Sequence, residues 1–348
     1  MGIRDHAVRL CAFTMCYIGD MPQQAENSGF KGPRAHKFCR CCFASSGQRA
    51  VDPDVMLKFD HITHGRYHIQ TLEMQHMLHH HLQTVSERKR YCTQWGMAEE
   101  LPALARLSPA LDLVMSRPVD AAHSEYNGLG NLMHFLLRDA ILTKAARAEY
   151  AMELRTWPFP PGSHRLQSPV HHLSSYKMSH HAQWIIVIPA FLLNWLKKKH
   201  VRSRFWNHVQ NQYPDKDPVE LIIETTAAIA RSTTLLMGTR MSRIDRYNMA
   251  DIIYRARHMF NELCLFASVT TGSAAASRIG TPVEAEPVGA QPGGSVVDEA
   301  LDDSGRALQY QNDTLRPNIH ASSHFPAFAE EYALPVNCSA LTGENLHR

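Results

Sequence analysis

The sequence predicts a mainly α protein with a partial α/β piece at its N-terminus, a large helical region and a disordered linker. Three observations lead there. Apolar residues recur at helical spacing in several segments between about 129 and 268. Residues 7–19, AVRLCAFTMCYIG, form a nearly continuous apolar run closed by Gly19-Asp20-Met21-Pro22, which reads as a buried strand stopped by a turn. Residues 271–305 contain no aromatic residue and are rich in Gly, Ala, Pro, Ser and acids, so they cannot bury enough surface to offset chain entropy.

The implied organisation is a strand and cysteine-rich piece over 1–50, a helical region over 51–270, the linker over 271–305, and a C-terminal helix and loop segment over 306–348. Helices are expected at about 129–153, 177–200 with a kink at Pro189, 218–237 and 245–268. Leu132, Met133, Leu136, Leu137 and Ile141 give the first of these an apolar face. Residues 157–176, WPFPPGSHRLQSPVHHLSSY, read as a Pro-punctuated surface loop. Order is expected to resume near Leu308.

At 348 residues, with 44% hydrophobic and 20% charged residues, the chain is long enough for about two domains and a real core. The formal net charge of +3 demands no polyanionic partner, although Lys197, Lys198, Lys199, His200, Arg202 and Arg204 form a local basic stretch. Such a run at a helix end also complements the macrodipole. Eight cysteines, three of them in FCRCCF, fit reduced intracellular thiols better than a disulfide scaffold. No signal-peptide cleavage pattern stands out, and the apolar run at 182–196 is shorter than the roughly 20 residues of a spanning helix. A soluble, non-secreted protein with no membrane partner is the expectation.

Two short motifs carry candidate chemistry. Cys39 and Cys42 form a Cys-x-x-Cys pair that either binds Zn²⁺ or packs near the core, with Cys41 as an extra thiol. Asp120 and His123 form an Asp-x-x-His pair at the head of a helical segment, where the acid serves either as a metal ligand or as a helix cap. Asp20 has the same two readings, a catalytic acid at a strand end or a turn-forming Asp. The seven histidines between His61 and His81 read as a solvated helix face, because no acid or cysteine completes a zinc spacing there.

In that order, GDMPQQAENSGFKGPRAHKFCRCC, RPVDAAHSEYNGL and HFLLRDAIL, SSYKMSHHAQWIIVIPAFL, and RPNIHASSHFPAFAEEYALPVNCSALTGENLHR resemble blocks of the fungal CACTA and Plavaka-like transposases. These are cut-and-paste DNA transposases of the DDE type with an RNase H-like core. The resemblance implies that Asp20 is the second metal-binding carboxylate, that Asp120 and His123 belong to the metal-site motif, and that Glu344 is the final acid. It implies Mg²⁺ or Mn²⁺ as cofactor, since hard cations take oxygen ligands and two ions can stabilise both oxygens of a displaced phosphodiester. It also implies DNA as partner and a nuclear location, and a homo-oligomer is a separate expectation.

In that family the first essential Asp lies on a strand upstream of residues 7–19, and only six residues precede them here. The expectation is therefore a degenerate, truncated copy, inactive alone. The alternatives are a host-adopted DNA- or protein-binding module without catalysis, and a zinc hydrolase built on the histidine-rich segment. Against the last stands the lack of a His-Glu-x-x-His pattern.

Overall fold

The computed structural model describes residues 14–32, 35–47, 53–59, 61–102, 111–161, 163, 165–268 and 316–340. The expected linker at 271–305, the chain around Leu308 and the candidate acid Glu344 lie outside the described residues, as does most of the expected strand at 7–19.

The described chain is helical. Its principal helices are α1 (Met21–Asn27), α2 (His68–His76), α3 (Val85–Trp95), a composite α4 (His123–Gly130, Asn131–Leu136 and Leu137–Ile141), α5 (Lys144–Thr156), α6 (Met178–Trp195), α7 (Ser203–Gln212), α8 (Pro218–Met237), α9 (Met249–Ser268), α10 (Pro317–Ala321) and α11 (Phe325–Tyr332). Pairing between extended segments is limited, among the described residues, to isolated bridges such as Cys42↔Gly65 and Leu142↔Val201.

The expected α/β piece is therefore corrected where it can be seen. Residues 14–19 adopt no regular structure, and no RNase H-like sheet is present among the described residues. A strand needs a neighbour to satisfy its backbone. Here that role falls to single contacts: the Tyr17 N–H donates to Ser116 O at 2.8 Å, and the Gln24 side-chain amide donates to Tyr17 O.

Local chemistry sets the helix ends. Asp217 accepts from the Val219 N–H at 2.8 Å and Pro218 occupies the first turn of α8, whose bounds agree with the expected 218–237. Thr84 and Glu87 form a capping box for α3. Gly96 then ends that helix at φ 72°, where a Cβ would lie 2.1 Å from Lys37 O. The α6 helix runs through Pro189 unbroken. The segment expected as one helix over 129–153 instead begins before His123 and stops at Leu142, after which Thr143 caps α5.

The main core lies where α4, α6, α8 and α9 meet, around Leu129, Met133, Trp184, Ile185, Phe191, Ile222, Phe260 and Leu263. Each such side chain contributes about 1.5–3 kcal/mol by leaving water. Gly130 lets α4 approach α6 closely, since a Cβ there would fall 2.2 Å from Ile185 Cδ1. A second core joins α11 to the rest, with Phe325 and Phe328 against Val114, Leu236, Met249 and Ile253. No described helix is long and apolar enough to cross a membrane.

Inside the main core, the Trp184 Nε1–H donates to Tyr150 Oη at 2.8 Å, and the Tyr150 hydroxyl lies 2.9 Å from His134 Nε2. With the Tyr150 hydroxyl donating on to Nε2, His134 is a neutral acceptor. Burial pushes its imidazole well below the usual histidine range. His181, against His134 and Tyr176, is pushed down to about 4 by burial and then by His180.

A pH dependence follows. The unfolded chain protonates these histidines near pH 6.5, whereas the folded chain resists until about pH 4 at His181. Between those values the unfolded state binds more protons, so stability falls as pH falls, by up to about 3 kcal/mol from His181. Urea unfolding from pH 7 to 4.5 should show a steeper decline in the parent chain than in His181→Leu. Parallel curves would rule the assignment out.

Candidate metal centre

The chain brings Cys39, Cys42, His320 and His324 into one cluster, with a ligand atom of each within 4.8 Å of all the others. Cys39 Sγ lies 3.3 Å from His324 Nε2, Cys42 Sγ lies 3.3 Å from His320 Nε2, and the two Nε2 atoms are 3.2 Å apart. A tetrahedral Zn²⁺ with Zn–S of about 2.3 Å and Zn–N of about 2.05 Å has S···N edges of about 3.6 Å and an N···N edge of about 3.3 Å. Paired thiol–imidazole hydrogen bonds alone would explain two of the contacts, but not the closing of all four atoms into one group.

The cysteine loop is shaped to present sulfur. The Cys41 N–H points at Cys39 Sγ (3.3 Å) and the Ala44 N–H at Cys42 Sγ (3.4 Å), so each thiol accepts a backbone donor two residues on. Arg66, fully buried, clamps the loop from behind. Its Nε–H donates to the carbonyls of Cys39 (3.0 Å) and Cys42 (2.9 Å), its Nη2 donates to Trp95 O, and its Cζ lies 4.8 Å from the Phe30 ring centroid and 4.6 Å from that of Phe43. Arg66 has no carboxylate partner among the described residues. Burial lowers its pKa to about 10, and the groups that favour its charge are the thiols of Cys39, Cys42 and Cys41. A buried cation needs nearby negative charge, which thiolates supply.

Burial opposes ionisation of Cys39, yet the Cys41 and Cys42 thiols and the charges of His324 and His320 outweigh it, holding Cys39 well below the usual thiol range. Burial, reinforced by Cys39, pushes Cys42 well above that range.

His320 lies in the last turn of α10 and His324 closes the following turn Ser322–His324, so their spacing of four places both rings on one side. The Phe38 ring meets His320 edge-on at 5.3 Å.

The other sequence-marked residues sort differently. Asp20 caps α1, accepting from the Gln23 N–H at 2.8 Å. Asp120 is fully buried, with Oδ1 accepting from the Ala122 N–H at 3.0 Å and Oδ2 bonded to His123 Nδ1. It caps the helix and orients His123. A cavity of about 410 Å³ adjoins the cluster, and its wall includes Asp20, Cys39, His123, Arg316, His320 and His324 but not Asp120. The fold thus brings Asp20, His123 and Cys39 together and sets Asp120 behind His123.

His320 and His324 escaped the sequence reading. Their signal was present as His-x₃-His in NIHASSHF, which together with Cys-x₂-Cys completes a zinc ligand set. The 278-residue separation of Cys42 from His320 hid it. All described cysteines are free thiols.

What fold and site define is a mainly helical protein with a buried Cys₂His₂ cluster. The chain matches no known family, no curated protein and no solved structure.

Proposed function

We propose that Cys39, Cys42, His320 and His324 hold one Zn²⁺ and that the ion is structural, stapling α10 and α11 to the N-terminal cysteine loop. The observation that carries this is the closed set of four ligand atoms within 4.8 Å. Four protein ligands leave no open position for a substrate, which is the pattern of structural rather than catalytic zinc. Metal analysis of the purified, zinc-reconstituted chain should give one Zn²⁺ per chain. Co²⁺ in its place should show the absorption of a tetrahedral thiolate site. Zinc binding that survives both Cys42→Ser and His320→Ala would sink the assignment.

A second reading is favoured by the shared cavity, which gathers Asp20, Cys39 and His123 from three separate motifs of the transposase resemblance. In that reading the chain is a transposable-element-derived protein, nuclear, with DNA as partner, and without strand cleavage of its own. Asp20 and His123 would face Mg²⁺ or Mn²⁺, with Asp120 holding His123 in place through Nδ1. The exposed Lys197, Lys198 and Lys199, with Lys198 over the Trp206 ring at 4.7 Å, are the candidate phosphate contacts.

Calorimetric Mn²⁺ titration separates these roles. Saturable binding abolished by Asp20→Ala and by His123→Ala supports the hard-cation site. Absent Mn²⁺ binding combined with steeply salt-dependent DNA affinity supports the non-catalytic binding module.

A further inference from the structure

On sequence periodicity, His76, His79, His80 and His81 form a solvated helix face. The backbone changes that reading. The regular α2 ends at His76 and passes into a single wide turn, Met77–His81, closed by the Leu82 N–H donating to Met77 O at 3.3 Å. In an α-helix the residue four positions on lies over the first, and the residue five on is turned well away. A wide turn takes an extra residue per turn, so positions four and five on both flank the starting side chain. Here the ring centroids of His76 and His80 are 4.6 Å apart, and those of His76 and His81 are 5.3 Å apart.

Those separations suit one ion. Two imidazoles bound to the same metal at about 2.1 Å have centroids about 4.5 Å apart at a right angle and about 5.2 Å apart at the tetrahedral angle. The rings are tilted at 36° and 66° to each other, and exposed side chains can turn their nitrogens inward by rotation about χ2. Isolated wide turns cluster at functional positions. All three histidines are exposed, so an ion reaches them without opening the fold.

We propose that His76, His80 and His81 form a surface site for a borderline divalent transition metal ion, of the class of Ni²⁺ or Cu²⁺. It is separate from the Cys39, Cys42, His320 and His324 cluster. Imidazole nitrogen suits this class of ion, and three ligands leave positions for water or for a ligand brought by a partner. The site takes no part in the zinc staple, so either assignment can fail without the other.

The test is calorimetric titration of the full chain with Ni²⁺ after zinc loading, with zinc content measured before and after. The expected result is one saturable Ni²⁺ per chain with zinc retained. His76→Ala, His80→Ala and His81→Ala should each weaken Ni²⁺ binding by more than the roughly ten- to hundredfold that loss of an outer-sphere partner costs. His79→Ala should leave it unchanged, because His79 belongs to the same run but makes no ring contact with His76. Cys42→Ser should leave Ni²⁺ binding intact while zinc is lost.

A loose histidine run predicts equal losses for His79→Ala and His81→Ala, and that result overturns the proposal, as does the absence of saturable Ni²⁺ binding in the parent chain. The substituted positions are exposed and alanine favours helix, and circular dichroism of each variant checks that the fold is kept.

Discussion

Stripping zinc from the folded chain is expected to melt one region and spare the rest. With free zinc a thousandfold above its dissociation constant, the ion adds about 4 kcal/mol to the stability of whatever it holds together. What it holds together is the loop around Cys39 and Cys42 and the segment from α10 to α11. Its other ties include Phe325 and Phe328 in the smaller core, Ile319 in the main core, the Ser124 hydroxyl donating to Asn318 O at 3.1 Å, the Tyr332 hydroxyl donating to Met115 O at 2.9 Å, and Arg246, which pairs with Glu330 and donates to Pro326 O. The bundle of α6, α8 and α9 has its own large core. Hydrogen exchange should therefore show protection lost over 35–47 and 316–340 on chelation, with α6 and α8 keeping theirs. Cys42→Ser should reproduce the pattern without chelator. Arg66→Met should weaken zinc binding by roughly ten- to a hundredfold, because it removes the clamp on the cysteine carbonyls and the charge beside the thiolates. Uniform loss of protection, or none, would contradict a staple.

Much of the helical scaffold was legible in the sequence, for physical reasons that also mark where reading failed. The α8 helix was placed from its apolar periodicity, and the Asp cap, first-turn Pro and following Gly that bound it are local features agreeing with that range. The start of α4 was placed too late because its apolar stripe begins at Leu132, whereas the helix already runs through Gly128 and Gly130. Their real use is close approach, Gly130 to Ile185 and Gly128 to Asn318, and wide turns carry the helix through them. The expected strand rested on apolar content, which does not supply a pairing partner. The metal cluster was half legible. Cys39 and Cys42 stood out by spacing, but their partners lie at the other end of the chain, and only folding brings α10 back to the cysteine loop. Asp120 was readable both as cap and as site residue, and the geometry joins the two roles, since one oxygen caps the helix while the other fixes His123.

Breaking the ion pair between Glu125 and Arg257 is expected to be the most destabilising single substitution in the helical core. Both side chains are fully buried, and Arg257 Nη2 bonds Glu125 Oε1 directly. Around them the Thr233 hydroxyl donates to Glu125 Oε2 at 3.2 Å, and Arg257 Nη1 donates to the Ser232 hydroxyl at 2.6 Å, so the network ties α4, α8 and α9 at one point. Removing either partner leaves a buried charge without its counter-ion, which costs about 3–5 kcal/mol, whereas replacing both by apolar groups of similar volume is often neutral. Glu125→Leu and Arg257→Met should each lower stability by that amount, and the double variant should recover most of it. The difference between the double and the summed singles then measures the coupling. Glu125 also sits two residues beyond His123 on the same wide turn, so the single variants should disturb the Asp120–His123 contact, read as a shift of the His123 ring protons in NMR. Additive losses in the double variant, with those ring signals unmoved, would show that the pair neither pays for its own burial nor positions His123.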